Sequence, residues 1–598
     1  MQEKTIPIHT DDQTIHQRFE EVASLLPDHT ALRFAEQSMT YEQLDKAANQ
    51  LAHQIIDLIG PEPGNVALFL ENSIFQIVTI LGILKAGKAY VALDTTFPAE
   101  RNLYMLQDAQ CQLLISNALN ESKARDLSAK IQLILEMQVD DSFPNTKPVI
   151  ALGPDDDAII FYTSGSTGSP KGALQSHKNM VHFVWGLSKV IDIVPSDSFA
   201  YYLSVAFSAH AFPLLATLLN GGALIIYHGK LEHISEFKQW LSDMKISIAL
   251  MIPSFIRHFQ ATFTGNEKLP DLRILFPAGE TLYRSDVEKI RDILKKDALI
   301  INIYASSETY VTRAYIIHHD TLLKGNIVPI GYPFKDMEFM ILDEQGKSVE
   351  KDSIGEFYIR SPYIMKGYWK RPELNASVIE TDPDDDQMTI FKSSDIGYYR
   401  DEDCIVCVGR KDAVIKLRGY RIDLGEIENI LLESKDVKEA ACVLRKNKHG
   451  IEQIIAFIVA GQDQALDIDH IKALTTRVLP GYMLPSHFIE IDELPKNEIG
   501  KTAYKSIPEP NWEFLEGGGE KVGASNKLEE KLIHLFERVL KIKPIGITDD
   551  ILKIGADSLS LFVSFNEIEK AFGKKLNMDT VLDNPTVEAI ARILEDNQ

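Results

Sequence analysis

The sequence predicts an α/β fold built in several units. It expects a large N-terminal domain of α/β layers with a β-rich subdomain, then a small α+β unit, then a helical bundle. Three observations predict it. From about residue 40 to 300 short apolar runs alternate with helical patterns, the texture of buried strands in parallel α/β layers. After Ile327 the runs shorten and are separated by Asp, Gly and Pro turns. Beyond Gly517, Gly518 and Gly519 the strand signal stops and only helical periodicity remains.

Each element follows from its local pattern. Residues 41–58 place apolar side chains at helical spacing with Glu, Asp and Lys between them. Residues 65–70 form a short apolar strand, 76–85 a helix and 90–93 a strand. Strand patterns recur at 113–116, 158–162, 223–227, 248–252 and 272–276. The β-rich unit shows strands at 338–342, 355–360 and 404–408. A compact α+β block follows Arg410, with apolar runs at 427–432, 437–445 and 453–459 and a helix at 468–478, and it ends near Ile507. Residues 513–526 are rich in glycine and charge and predict a flexible linker. Helical periodicity at 528–540, 558–572 and 586–594 predicts a small bundle.

The 598 residues are enough for about four units at ~150 residues each. Hydrophobic residues make up 45% and charged residues 25%, values at which large cores form without disulfides or metals. The formal net charge of −24 argues against nucleic acid as a partner, because phosphate-backbone binding needs a basic surface. Four cysteines make no disulfide framework. Cys404 and Cys407 have C-x-x-C spacing, but no second pair completes a zinc site, and their apolar neighbours predict a buried strand. The polar, acidic start lacks a signal-peptide pattern. No apolar run reaches the ~20 residues of a spanning helix. These features predict a cytoplasmic chain without a membrane partner.

The most informative stretch is Phe161-Tyr-Thr-Ser-Gly-Ser-Thr-Gly-Ser-Pro-Lys-Gly172, directly after a strand pattern. Gly165 and Gly168 let backbone N–H groups approach phosphate oxygens. Thr163, Ser164, Ser166 and Thr167 add hydroxyl donors, and Lys171 adds charge. It is not a Walker loop, since Lys171 follows Pro170 and precedes Gly172.

With that loop in place, the chain resembles the adenylate-forming superfamily. Specifically it resembles a nonribosomal peptide synthetase adenylation domain fused to a peptidyl carrier (thiolation) domain. The first resemblance covers roughly residues 15–508 and the second roughly 526–598. Residues 82–94 (GILKAGKAYVALD) resemble an early helix–strand motif, and 409–421 (GRKDAVIKLRGYR) the segment joining the large and small subdomains. The resemblance implies a large subdomain over 1–410, a small swinging subdomain over 411–508, a linker at 509–526 and a carrier at 527–598. It further implies ATP and Mg²⁺ as cofactors, with Thr163–Lys171 holding phosphates and Glu308 as the magnesium carboxylate. Tyr304 would stack on adenine. Asp395 would bind the ribose hydroxyls with Arg410 nearby. Lys501 would bridge carboxylate and ATP oxygens during reaction, and Asp412 would be the hinge.

The chain departs from the family pattern at Ala305-Ser306-Ser307-Glu308, Ser393-Ser394-Asp395 and Ile499-Gly500-Lys501. The charged residue is kept each time. Ser558, in Gly555-Ala-Asp-Ser-Leu559, matches the serine that carries 4′-phosphopantetheine, which makes a phosphopantetheinyl transferase a partner. Condensation, reductase and thioesterase domains do not fit in this length. A downstream condensing, reducing or acyl-transfer enzyme is therefore expected in trans.

The acid pocket carries over as Phe207, Ser208, Ala209, Phe212, Met251, Phe276, Ala278, Ile303, Val311 and Thr312. Amino-acid-activating members usually have Asp where this chain has Ser208. The lining is apolar, with Ser208 and Thr312 its only hydroxyls. It predicts a small carboxylic acid without an α-ammonium: aliphatic, hydroxy, keto or aryl. The alternatives are a small apolar amino acid, a coenzyme A ligase of the same chemistry, and a scaffold without turnover.

Overall fold

The computed structural model describes residues 13–129, 131–135, 142–164, 169–229, 231, 233–264, 267–411, 414–447, 450–461, 466–496, 502, 504–515, 522–540, 543–551, 558–574, 576, 581 and 584–596. Among the described residues, two large sheets dominate the N-terminal part. One has nine strands and the other seven.

The strands Asn65–Phe69 and Ala89–Leu93 are buried at every position and pair in parallel, as uninterrupted apolar runs require. Helix Tyr41–Ile59 starts in a capping box between Thr40 and Gln43, and helix Ile74–Lys85 is buried almost all round. One apolar core takes Leu68 and Tyr90 from the seven-stranded sheet and Phe199, Leu250 and Phe276 from the nine-stranded one. A second core lies on the opposite strand faces, with Ala249, Met251 and Leu275.

Two of the antiparallel pairings in these sheets position the site. Strand Asp157–Thr163 turns back antiparallel on Lys171–Ser176, placing Thr163 opposite Lys171. Strand Leu299–Ser306 turns back on Tyr310–Ile317, with Ser306 opposite Tyr310. Lys171–Ser176 carries a weak strand signal, whereas Tyr310–Ile317 (YVTRAYII) is rich in the β-branched and aromatic residues that mark a strand.

A further sheet contains Glu338–Leu342, Gly355–Ser361, Ile379–Thr381 and Thr389–Tyr399, joined by Ile405–Arg410. Cys404 is buried and free beside this last strand. A hairpin, Val414–Leu417 with Tyr420–Asp423, leads to a three-stranded sheet of Val437–Lys446, Glu452–Ala460 and His487–Glu490. Helices Leu424–Leu432 and Ile468–Val478 contribute to its core. Trp512–Leu515, inside the span expected to be linker, is a short helix whose Trp512 packs on His487. Helices Lys527–Leu540, Ser558–Phe572 and Val587–Asp596 enclose a separate apolar core. No helix among the described residues is long and apolar enough to cross a membrane.

Candidate active site

Asp395 and Arg410 sit opposite each other on paired strands, and Arg410 Nη1 donates to Asp395 Oδ1 at 2.9 Å. The Tyr304 hydroxyl, delivered by the Leu299–Ser306 strand, donates to the other Asp395 oxygen. These three groups border a cleft of about 400 Å³. A second cavity of about 160 Å³ adjoins it, and both walls include Ile303, Ala305, Asp395, Arg410 and Lys416.

Glu308 lies in the tight turn between the two antiparallel strands and is fully buried. Burial alone would raise its pKa. Arg421 and Lys171, with the hydrogen bonds from Tyr368 and Arg421, overcome that and hold it down at about 2. Arg421 Nη1 lies 2.7 and 2.9 Å from the two carboxylate oxygens, and the Tyr368 hydroxyl donates at 2.6 Å. Lys171 Nζ lies 4.1 Å from the centre of the Tyr368 ring. Burial pulls its pKa down to about 8, although Glu308 favours its charged form.

The smaller cavity is lined by Phe207, Ser208, Ala209, Phe212, Ala278, Ile303 and Val311 of the expected acid pocket. The structure does not put Met251, Phe276 or Thr312 on that wall. Strand alternation explains the first: Leu250 faces the cavity, and Met251 points into the opposite core. Phe276 lies behind Phe212, with ring centres 4.9 Å apart. The Thr312 hydroxyl is turned away and donates to the Tyr304 carbonyl at 3.4 Å. The sequence reading missed Leu250, Ser307 and Tyr310. For Leu250 the period-two alternation was the available signal.

His210 is fully buried, and burial lowers its pKa to about 4, so it is neutral near pH 7. Its ring nitrogens pair with the Tyr90 hydroxyl at 2.8 Å and the Phe207 carbonyl at 2.7 Å. Among the described residues, the one carboxylate on the cavity wall is Asp395, already held by Arg410 and Tyr304.

The hairpin after Arg410 closes over this site. Besides Arg421 on Glu308, the Ser164 hydroxyl donates to the Arg421 carbonyl at 2.9 Å and accepts from Asp423 N at 3.1 Å. Gly419 N donates to Glu280 at 2.6 Å. Arg101 and Glu426 form a buried ion pair at 2.6 Å. Tyr420 stacks on Tyr482 at 4.0 Å and meets Phe207. Gly165, Ser166, Thr167, Gly168, Asp412 and Lys501 lie outside the described residues. Ser558 is the first residue of its helix.

Comparison with known proteins agrees with this arrangement. The AMP-binding enzyme family matches residues 19–369, the AMP-binding enzyme C-terminal domain 426–501, and the phosphopantetheine attachment site 530–594. Tyrocidine synthase 1 of Brevibacillus parabrevis is 28% identical over 586 residues, covering 98% of this chain and 53% of that protein. A dimodular nonribosomal peptide synthase of Bacillus subtilis (strain 168) is 32% identical over 593 residues, covering 97% of this chain and 24% of its own length. The chain thus spans about half or less of these relatives.

The solved structure of holo-PA1221, an NRPS protein containing adenylation and PCP domains bound to a vinylsulfonamide inhibitor, superposes with a TM-score of 0.80. It is 22% identical and covers 98% of this chain and 97% of that one. The artificially fused adenylation–PCP di-domain NpsA-ThdA from Klebsiella oxytoca gives 0.69 at 23% identity, covering 80% and 94%. At these identities the likeness establishes the fold. With the family match over more than half its length, the chain belongs to the AMP-binding enzymes, as an adenylation region followed by a phosphopantetheine carrier region.

Proposed function

We propose that this chain is an acid–thiol ligase. It activates a small carboxylic acid lacking an α-ammonium as the acyl-adenylate, then loads it onto its own carrier, in nonribosomal-peptide-type biosynthesis. The observation that carries this reading is the pair of adjoining cavities, a polar one bordered by Tyr304, Asp395 and Arg410 and an apolar one whose wall has Ser208 where a carboxylate would be needed.

Joining a carboxylate to the α-phosphorus of ATP brings two anions together, so positioning and charge neutralisation do most of the work. Asp395, with Arg410, is suited to hold ribose hydroxyls, and Tyr304 borders the nucleotide. Thr163, Ser164 and Lys171 flank the phosphate loop, to which Gly165, Ser166, Thr167 and Gly168 belong. Glu308, held ionised, is the carboxylate that suits Mg²⁺, an ion that commonly takes one or two carboxylates plus phosphates and waters. When bound, Mg²⁺ supplies charge neutralisation at the phosphates. Lys501 is assigned to the reacting oxygens and Asp412 to the hinge. The proposed division is 1–410, 411–508, a linker at 509–526 and the carrier at 527–598.

Ser558 opens a fifteen-residue helix, and that positive end suits a phosphodiester. 4′-Phosphopantetheine, attached there by a phosphopantetheinyl transferase, supplies the thiol acceptor. A condensing, reducing or acyl-transfer enzyme acting in trans is proposed as the downstream partner.

Burying an ammonium in the apolar cavity without a free anion would cost on the order of several kcal/mol. One observation favours a second reading, a small apolar amino acid held by backbone carbonyls: the relatives include a nonribosomal peptide synthase at 32% identity. Pyrophosphate exchange across matched amino, deamino and hydroxy acids separates the two. A preference for the amino member of each pair would sink the first reading. Ser208→Asp should shift preference towards the amino acid.

A further inference from the structure

Most of the acid cavity is apolar, formed by Phe207, Phe212, Leu250, Ala278, Ile303 and Val311. Several polar groups on or beside its wall are committed elsewhere. Thr312 donates to Tyr304 O. The Ser306 hydroxyl accepts from Thr309 N at 3.1 Å and pairs with Thr309 Oγ1 at 3.0 Å. Among the hydroxyls that remain on the cavity wall, Ser208 and Ser307 pair with each other at 3.0 Å.

Two hydroxyls carry two donors, and the bond between them uses one. Whichever serine donates, one O–H is left over. The backbones under the pair are fixed. The Ser208 carbonyl accepts from the Tyr310 hydroxyl at 3.2 Å, and the Ser307 carbonyl accepts from Gln175 Nε2 at 2.7 Å. Ser307 also adjoins Glu308 in the chain, which puts the pair at the cavity end nearest the phosphate-binding groups. The carboxyl carbon must sit there to reach phosphorus, so a substituent meeting the pair is on carbon 2.

We infer that Ser208 and Ser307 are a specificity-determining pair that grips an oxygen on carbon 2, and that the substrates are 2-oxo or 2-hydroxy acids with a short apolar chain. This rests on the acid-activating reading above and narrows it. A carbonyl or hydroxyl oxygen accepts the spare O–H. An unsubstituted acid leaves that donor buried and unpaired, while an ammonium finds no free carboxylate beside the pair, Asp395 being held by Arg410 and Tyr304.

The test is ATP–pyrophosphate exchange by the full chain with four five-carbon branched acids: 2-oxo, 2-hydroxy, 2-amino and unsubstituted. The readout is the ratio of kcat/KM for each oxygenated acid to that for the unsubstituted one, so that damage common to all substrates cancels. Wild type should prefer the oxygenated acids by about tenfold or more, the worth of one hydrogen bond. Ser208→Ala/Ser307→Ala should bring the ratio near one. Ser307→Thr, which keeps the hydroxyl, should largely retain it. An unsubstituted acid used as well as its 2-oxo partner by wild type overturns the inference but leaves the broader reading standing, and so does an unchanged ratio in the double variant. Preference for the 2-amino acid overturns both, as does a lack of exchange with all four. If the double variant does not fold, the wild-type ratio and the Ser307→Thr ratio decide.

Discussion

Lys171 holds its charge against its surroundings. Burial brings its pKa to about 8 from an ordinary 10.5. A lysine lowered in this way is protonated below about pH 8 and loses its attraction for phosphate as the pH rises through that value. The KM for ATP of the wild type should therefore climb above about pH 8. Lys171→Arg should flatten that climb, since a guanidinium stays charged there. An identical pH profile for both would remove Lys171 from phosphate binding. Glu308 behaves oppositely. Its folded pKa of about 2 lies below the ordinary 4.5, so the stability it contributes is full above about 4.5 and is lost as pH falls towards 2. A second prediction concerns Lys501, proposed to neutralise charge only where carboxylate meets phosphorus. Lys501→Ala should slow adenylation by ~10²–10³-fold, as loss of one preorganised donor does. Carrier loading from preformed acyl-adenylate should survive. If that loading is lost equally, the assignment fails.

At the scale of elements, the hairpin Val414–Leu417 and Tyr420–Asp423 with helix Leu424–Leu432 is the part that closes the site. It docks through Arg421 on Glu308, Gly419 on Glu280 and Glu426 on Arg101. In this pose Arg421 takes both Glu308 carboxylate oxygens. With Glu308 as the proposed magnesium carboxylate, the hairpin would withdraw for adenylation, and this pose is proposed to serve the step after it. Glu426→Gln weakens the docking without touching the cavity wall. Pyrophosphate exchange should change less than about threefold, while loading from preformed acyl-adenylate should fall by about tenfold, as loss of a buried charge-assisted bond implies. Equal losses in both assays would argue against two alternating poses. The sequence showed this hairpin only as a motif. The helix at 468–478 was legible exactly, because apolar spacing and the Asp467 cap mark it locally. The partners of Arg421 were not legible, because Glu308 lies 113 residues away and only the fold brings them together. Ser307 was missed for the same reason. Its meaning depends on Ser208, 99 residues distant, and a lone serine in a turn carries no signal by itself.

For the whole molecule, the question is how firmly the carrier region is attached. Alternating texture was enough to separate the large region, the small unit and the helical bundle, since each has its own hydrophobic period. The linker edge was harder to read. Trp512 looked like linker, yet it packs beside His487 on the small unit, and the carbonyl of Val522 already accepts from Ile547 N of the carrier at 2.9 Å. Structured chain thus approaches from both sides, and residues 516–521, which lie outside the described residues, keep the glycine-rich, charged composition on which the linker expectation rests. The carrier also rests on the large region, where helix Ser558–Phe572 meets helices Ile234–Asp243 and Pro253–Ala261. There Glu569 comes within 4.8 Å of ligand atoms on His233 and Glu236. This contact brings two carboxylates, Glu236 and Glu569, together at a histidine, and salt should screen their repulsion. Limited trypsin digestion should cut first after Lys521, releasing the 77-residue fragment 522–598 with its helices intact. Raising the ionic strength should slow that cut by easing the repulsion beneath the docked carrier. First cleavage within the folded units, with Lys521 protected at both low and high salt, would mean that the two regions form one rigid body and that loading requires no carrier movement.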